Sequence, residues 1–136
     1  MLTRPNQLGE GSQDGFDLIY SQLTFHHIED AVPVMQTLLS YLKPGKGRLM
    51  IFDFARGAPG HGEKFHPNHK HEGLPWHGFA NGQLKSWLEQ SSSDWTQVEE
   101  RVAFTIEKSV QVEGPDGQTV EGKENFDIIL AQATRI

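Results

Sequence analysis

The stretch FDLIYSQLTFHHIEDAVPVMQTLLSYLKPGKGRLMIFDF, residues 16–54, decides the fold. Phe16-Asp17-Leu18-Ile19-Tyr20 is a short apolar run with β-branched and aromatic members, as expected of a buried strand. Ala31, Val34, Met35, Leu38, Leu39 and Leu42 then recur at helical spacing and fall on one stripe. The Asp30 carboxylate is placed to cap that helix, and Pro33 is tolerated in a first turn whose N–H groups have no helical partner. Lys43-Pro44-Gly45 predicts its end. Arg48-Leu49-Met50-Ile51-Phe52-Asp53-Phe54 is nearly continuously apolar, the pattern of a parallel strand covered on both faces. Strand, amphipathic helix and strand make a right-handed βαβ unit.

Outward from this unit the chain is less regular. Residues 1–15 are polar and Gly-rich, and read as a linker or frayed end, with residues 16–136 as the domain. Residues 55–78, with Gly57, Pro59, Gly60, Gly62, Pro67, Gly73, Pro75 and Gly78, form a long irregular stretch of the kind that is functional or mobile. A second helix is expected from an Asn81 cap, with Leu84, Trp87 and Leu88 inside and Ser91-Ser92-Ser93-Asp94 at its end. Val98, Val102, Phe104, Ile106, Val110 and Val112 share one parity and predict a long strand, bent or bulged. Pro115-Asp116-Gly117 signals a turn, and Phe126-Asp127-Ile128-Ile129-Leu130-Ala131 a last buried strand. These last two strands are expected to pair antiparallel across a long connection.

Composition excludes several functions. The chain has 136 residues, enough for one domain, and a net charge of −6. No basic face for nucleic acid or an anionic membrane follows from that balance. There is no cysteine, so disulfides, thiolate zinc sites and a Cys nucleophile are excluded. A cytoplasmic setting fits. No apolar run approaches the ~20 residues of a membrane span.

The run from Phe16 through Ser21-Gln22-Leu23-Thr24-Phe25-His26-His27-Ile28 resembles the fourth strand and following loop of class I S-adenosylmethionine-dependent methyltransferases. Leu42-Lys43-Pro44-Gly45 and Gly47-Arg48-Leu49 resemble that family's approach to its fifth strand, and His77-Gly78-Phe79 occurs in its small-molecule branch (type 11/12-like). The resemblance covers residues 14–136. It implies an α/β fold: the C-terminal half of a Rossmann-like methyltransferase domain. That half would hold a mixed sheet of about four strands, two parallel plus an antiparallel C-terminal hairpin, with flanking helices. The family's first three strands, with the Gly-rich cofactor turn and the acidic ribose-binding residue, have no counterpart; Gly9, Gly11 and Gly15 follow no apolar run and read as linker. The implied activity is methyl transfer from S-adenosylmethionine to a small molecule, in a truncated, weak or inactive form. Exposed sheet edges predict self-association or a partner chain, and a non-catalytic interaction module pairing near Phe16–Tyr20 is the rival function.

Candidate site residues follow. Ser21, Gln22 and Leu23 would lie beside the cofactor by resemblance, or are ordinary loop groups. His26 and His27 are open to two uses, base or scaffold, and Asp53 to two, base or backbone cap. His61, His66, His69, His71 and His77 crowd one loop. Their spacing matches no fixed zinc pattern, so no metal is assigned and a lid over the acceptor is preferred to a His-loop metal site. In that lid Phe65, His66, Trp76, His77 and Phe79 either face a planar acceptor or pin the loop to the core. Glu99, Glu100, Glu107 and Glu113 read as a solvated strand surface.

Overall fold

A computed structural model describes residues 15–66 and 73–136. Most of the stretch expected as a linker, and His69 and His71, lie outside the described residues. Gly15 does not behave as linker. It is buried at φ +106°, and a Cβ there would meet the Tyr41 carbonyl oxygen at 2.7 Å.

Strand β1 spans Leu18–Gln22, helix α1 Ala31–Ser40 and strand β2 Arg48–Phe54. β1 and β2 pair in parallel, Leu18 opposite Arg48 and Gln22 opposite Phe52. Helix α2 covers Gln83–Ser91, and strands β3 (Trp95–Glu113) and β4 (Thr119–Arg135) close the chain. The sheet order is β1-β2-β4-β3, with β4 antiparallel to both neighbours. This is the expected α/β arrangement, a mixed four-stranded sheet of two parallel strands and a reversed antiparallel hairpin with flanking helices.

Strand alternation divides β2 between two faces. Leu49 and Ile51 join Ile129, Ala131 and Ala133 of β4 under α1 and α2, where Met35, Leu39, Leu84 and Leu88 are buried. Phe54 turns the other way and joins Phe65, Phe126 and Ile128. Both helices pack into the first cluster. Among the described residues, the second face carries no α-helix, only the 3-10 turn Gly62–Phe65, so the expected cover on both faces is met only in part; Leu18 and Tyr20 are 48 % and 63 % exposed.

Helix ends depart from expectation. Asp30 occupies the N-cap position of α1, but its side chain makes no capping hydrogen bond. The helix stops at Ser40, because Tyr41 and Leu42 donate to the carbonyls of Leu38 and Leu39 in a tightened turn. The Arg135 guanidinium donates to the Leu39 and Leu42 carbonyls, tying the last strand to that helix end. At α2 the cap is Gly82, at φ 82°, rather than Asn81. Glu100, expected to be solvated, instead accepts from the backbone N–H groups of Gly82 and Lys85 and serves the orphan donors of that helix.

The long strand is bulged, between Thr96 and Glu99 and again between Val102 and Phe104. The second irregularity changes face: Val102 stands opposite Ile129, but Phe104 opposite Ile128. Residues of one sequence parity therefore serve both sheet faces. Val110 is buried, whereas Val102 and Phe104 stay about half exposed. The hairpin connection is short, not long. Gly117 and Gly114 close it with backbone hydrogen bonds inside residues 114–118, and β4 is far longer than the 126–131 segment expected.

Candidate functional site

The carboxyl ends of β1 and β2 meet where ligands sit in open α/β sheets. Just after β1, Leu23 stands at φ 55°, a left-handed conformation uncommon outside glycine. Its N–H still donates to the Phe52 carbonyl at 2.9 Å. The chain then folds into a single 3-10 turn, Phe25–His27, which drops Phe25 into the core and buries His26.

Asp53 receives that turn. Its carboxylate is fully buried, at 0 % exposure. It accepts from the His26 backbone N–H at 3.0 Å and the Phe54 backbone N–H at 2.8 Å. It also lies 3.0 and 3.2 Å from His26 Nδ1. An ionised carboxylate accepts but cannot donate, so Nδ1 carries the hydrogen, and in the neutral ring Nε2 keeps its lone pair. Nε2 is buried and has no hydrogen-bond partner. Of the two uses weighed for Asp53, base or backbone cap, the structure shows the backbone contacts; that the carboxylate also orients an imidazole was not foreseen.

The loop after β2 supplies the other wall. A 3-10 turn at Gly62–Phe65 stacks Phe65 on Phe54, with ring centroids 3.9 Å apart and planes within 3°. Lys108 Nζ sits 4.8 Å over the Phe65 ring. His66 follows directly. Its ring lies 5.1 Å from His26 and 6.2 Å from His27, while His26 and His27 are 4.1 Å apart. One imidazole nitrogen from each of the three lies within 4.8 Å of the other two. The His66 pKa is lowered to about 4, first by burial, then by His26, Lys108, His27 and His77.

The remaining expected residues divide. Ser21 is half-buried, with its hydroxyl oxygen enclosed and unpartnered, while Gln22 and Leu23 are exposed. Trp76 and Phe79 pin the loop. Trp76 Nε1 donates to the Ile28 carbonyl at 2.8 Å and its ring packs on Trp87 at 4.9 Å. Phe79 is 1 % exposed, and its N–H donates to the Phe54 carbonyl at 3.0 Å. His77 is half-buried, and its carbonyl crowds Gly62. His61 stands apart against Phe126, 4.5 Å between centroids, and 3.9 Å from Glu124. Sequence reasoning named His26, Asp53 and His66 singly; it missed that they form one cluster, which no local spacing announces.

No protein-family model matches the sequence, and no curated protein does. Solved structures do. A YcgJ protein from Bacillus subtilis superposes with a TM-score of 0.58 at 14 % identity, covering 90 % of this chain and 65 % of that one. A SAM-dependent methyltransferase from Methanosarcina mazei gives 0.47 at 14 % identity, covering 87 % and 59 %. This chain therefore spans less than two thirds of the length of either structure. At such identity the likeness is one of fold. No helix among the described residues is long and apolar enough to cross a membrane.

Proposed function

We propose that this chain carries the acceptor-side half of an S-adenosylmethionine-dependent methyltransferase acting on a small molecule in the cytoplasm. We further propose that residues 1–136 alone transfer methyl groups weakly or not at all. The observation that carries the proposal is the buried His26–Asp53 pair, held where the two parallel strands end on a methyltransferase-like sheet. The unpartnered Ser21 hydroxyl near the end of β1 would offer the cofactor a polar contact. When bound, the cofactor supplies an electrophilic methyl group on a sulfonium that leaves as a neutral thioether. The chain's own groups do the rest. Asp53 fixes the His26 ring, and Nε2 takes the proton of an O–H or N–H acceptor as that atom bonds the methyl carbon. Phe65 and His66 roof the acceptor side and exclude water. Residues 1–15 hold no apolar run followed by a Gly-x-Gly turn, which supports weak cofactor affinity.

Titration of the chain with the cofactor, followed by amide chemical shifts, tests this. Millimolar binding that moves the Ser21, Gln22 and Leu23 amides is expected. No shift at these residues at saturating cofactor overturns the cofactor assignment. A Kd below about 10 μM, roughly −7 kcal/mol, overturns the weak-half assignment.

One observation favours a second reading. β1 is an edge strand whose Leu18 and Tyr20 are exposed, a template for strand addition by a partner chain or a second copy. A stable complex that survives Tyr20→Lys excludes that edge as the interface.

A further inference from the structure

We propose that His26, His27 and His66 form a binding site for a divalent transition-metal ion, zinc foremost, with one coordination position left open. The argument begins with donors. Three imidazole nitrogens lie within 4.8 Å of one another. A tetrahedral zinc with Zn–N bonds of about 2.05 Å sets its ligand nitrogens roughly 3.4 Å apart, so the trio must contract by about 1.4 Å or less. His26 is fixed by Asp53 and need not move. His27 is exposed, so its ring has room to turn towards the other two.

A second, independent observation points to a ligand. His26 Nε2 and His66 Nδ1 are both buried and both lack a hydrogen-bond partner. An enclosed polar atom left unsatisfied is costly, and two on neighbouring rings 5.1 Å apart are an unusual concentration. A cation would take a lone pair from each ring together.

The surroundings are those of a metal ligand as well. A ligating imidazole ordinarily donates its other ring nitrogen to a carboxylate, which fixes the tautomer and raises basicity. Asp53 does this to His26 at 3.0 Å. All-nitrogen donors suit zinc, nickel or copper; magnesium and calcium want oxygen. Three protein ligands rather than four leave a position for water or for a substrate oxygen, at the strand ends where a substrate is expected. The site does not depend on methyl transfer. It uses the lone pair assigned above to proton abstraction, so in the loaded protein His26 is a ligand and the open position is where an acceptor would be polarised.

The test uses the untagged chain, stripped with a chelator and titrated with zinc by calorimetry and with cobalt(II) by visible absorption. One equivalent of zinc with a Kd of about 10 μM or tighter is expected, together with a tetrahedral cobalt band. His27→Ala and His66→Ala should each weaken binding by about tenfold or more, and Asp53→Asn by about 10–100-fold. His26→Ala is a poor probe because burial makes it prone to unfold, whereas His27 is exposed. His61→Ala should leave the affinity unchanged. Absence of one-to-one binding overturns the proposal. So does binding that survives both His27→Ala and His66→Ala, or binding that is lost in His69→Ala or His71→Ala yet kept in His27→Ala, which would place the ion in the loop instead.

Discussion

Replacing Asp53 with alanine should be among the most damaging single changes in the described part of this protein. The carboxylate is fully buried and serves three donors: the His26 and Phe54 backbone N–H groups and His26 Nδ1–H. Alanine leaves all three without an acceptor. At about 1–3 kcal/mol for each orphaned buried donor, the gross cost is roughly 3–9 kcal/mol. Relief from burying a carboxylate offsets several kcal/mol of that. The net loss expected is about 3–5 kcal/mol, the range found when one member of a buried pair is removed. Against a domain stability of about 5–15 kcal/mol, that is a large fraction. Asp53→Asn keeps one acceptor oxygen and should cost less, about 1–2 kcal/mol. Urea unfolding followed by circular dichroism measures both, provided the slope with denaturant stays constant. In a double-mutant cycle with His26→Leu, the coupling should be about 0.5–3 kcal/mol, because the orphaned ring nitrogen leaves with the histidine. A loss below about 1 kcal/mol for Asp53→Ala, or equal losses for alanine and asparagine, would refute the buried pair.

Other changes test other parts. Glu100→Ala removes the acceptor for two N–H groups at the start of α2 and should lower stability by about 1 kcal/mol, read as a fall in Tm, with Glu100→Gln milder. Gly62→Ala would place a Cβ 1.8 Å from the His77 carbonyl oxygen. Backbone must move, so a loss of more than about 1 kcal/mol is expected in urea, with altered Trp76 fluorescence. His66 sets a pH dependence in the metal-free protein. Its pKa falls from 6.5 to about 4 on folding, so between those values the unfolded chain binds the extra proton. Stability should therefore be unaffected above about pH 6.5 and fall as the pH drops towards 4, damped by partial exposure. His66→Gln should flatten that slope in urea midpoints measured against pH.

What was legible in the residues was what local periodicity encodes. The β1–α1–β2 unit follows from an apolar run, a helical stripe and a second apolar run, each complete within a few turns of chain. The caps were not legible, because Asp30 and Asn81 are suitable residue types whose use depends on neighbours distant in sequence; at α2 that neighbour is Glu100. The face change in β3 was hidden because a bulge inserts a residue without altering composition. Trp76 and Phe79 had two open uses, and their tertiary hydrogen bonds to Ile28 and Phe54, which anchor the loop, follow from no local pattern. His26 and Asp53 are 27 residues apart, and no spacing rule links a histidine in a loop to a carboxylate on the next strand.

The end of β2 explains why the cluster exists at all. Successive strand residues point to opposite faces, so Asp53 and Phe54 reach different structures from one backbone position. Asp53 holds His26 through charge-assisted bonds, and Phe54 holds Phe65 by stacking, which sets His66, the next residue, beside the same imidazole. A slip of one residue in the β2 register would exchange the two and separate the histidines. The grips are unequal. An aromatic pair contributes about 0.5–1.5 kcal/mol beyond its buried area, against the 3–5 kcal/mol at stake in the buried pair. The His26 arm is therefore the more strongly held of the two.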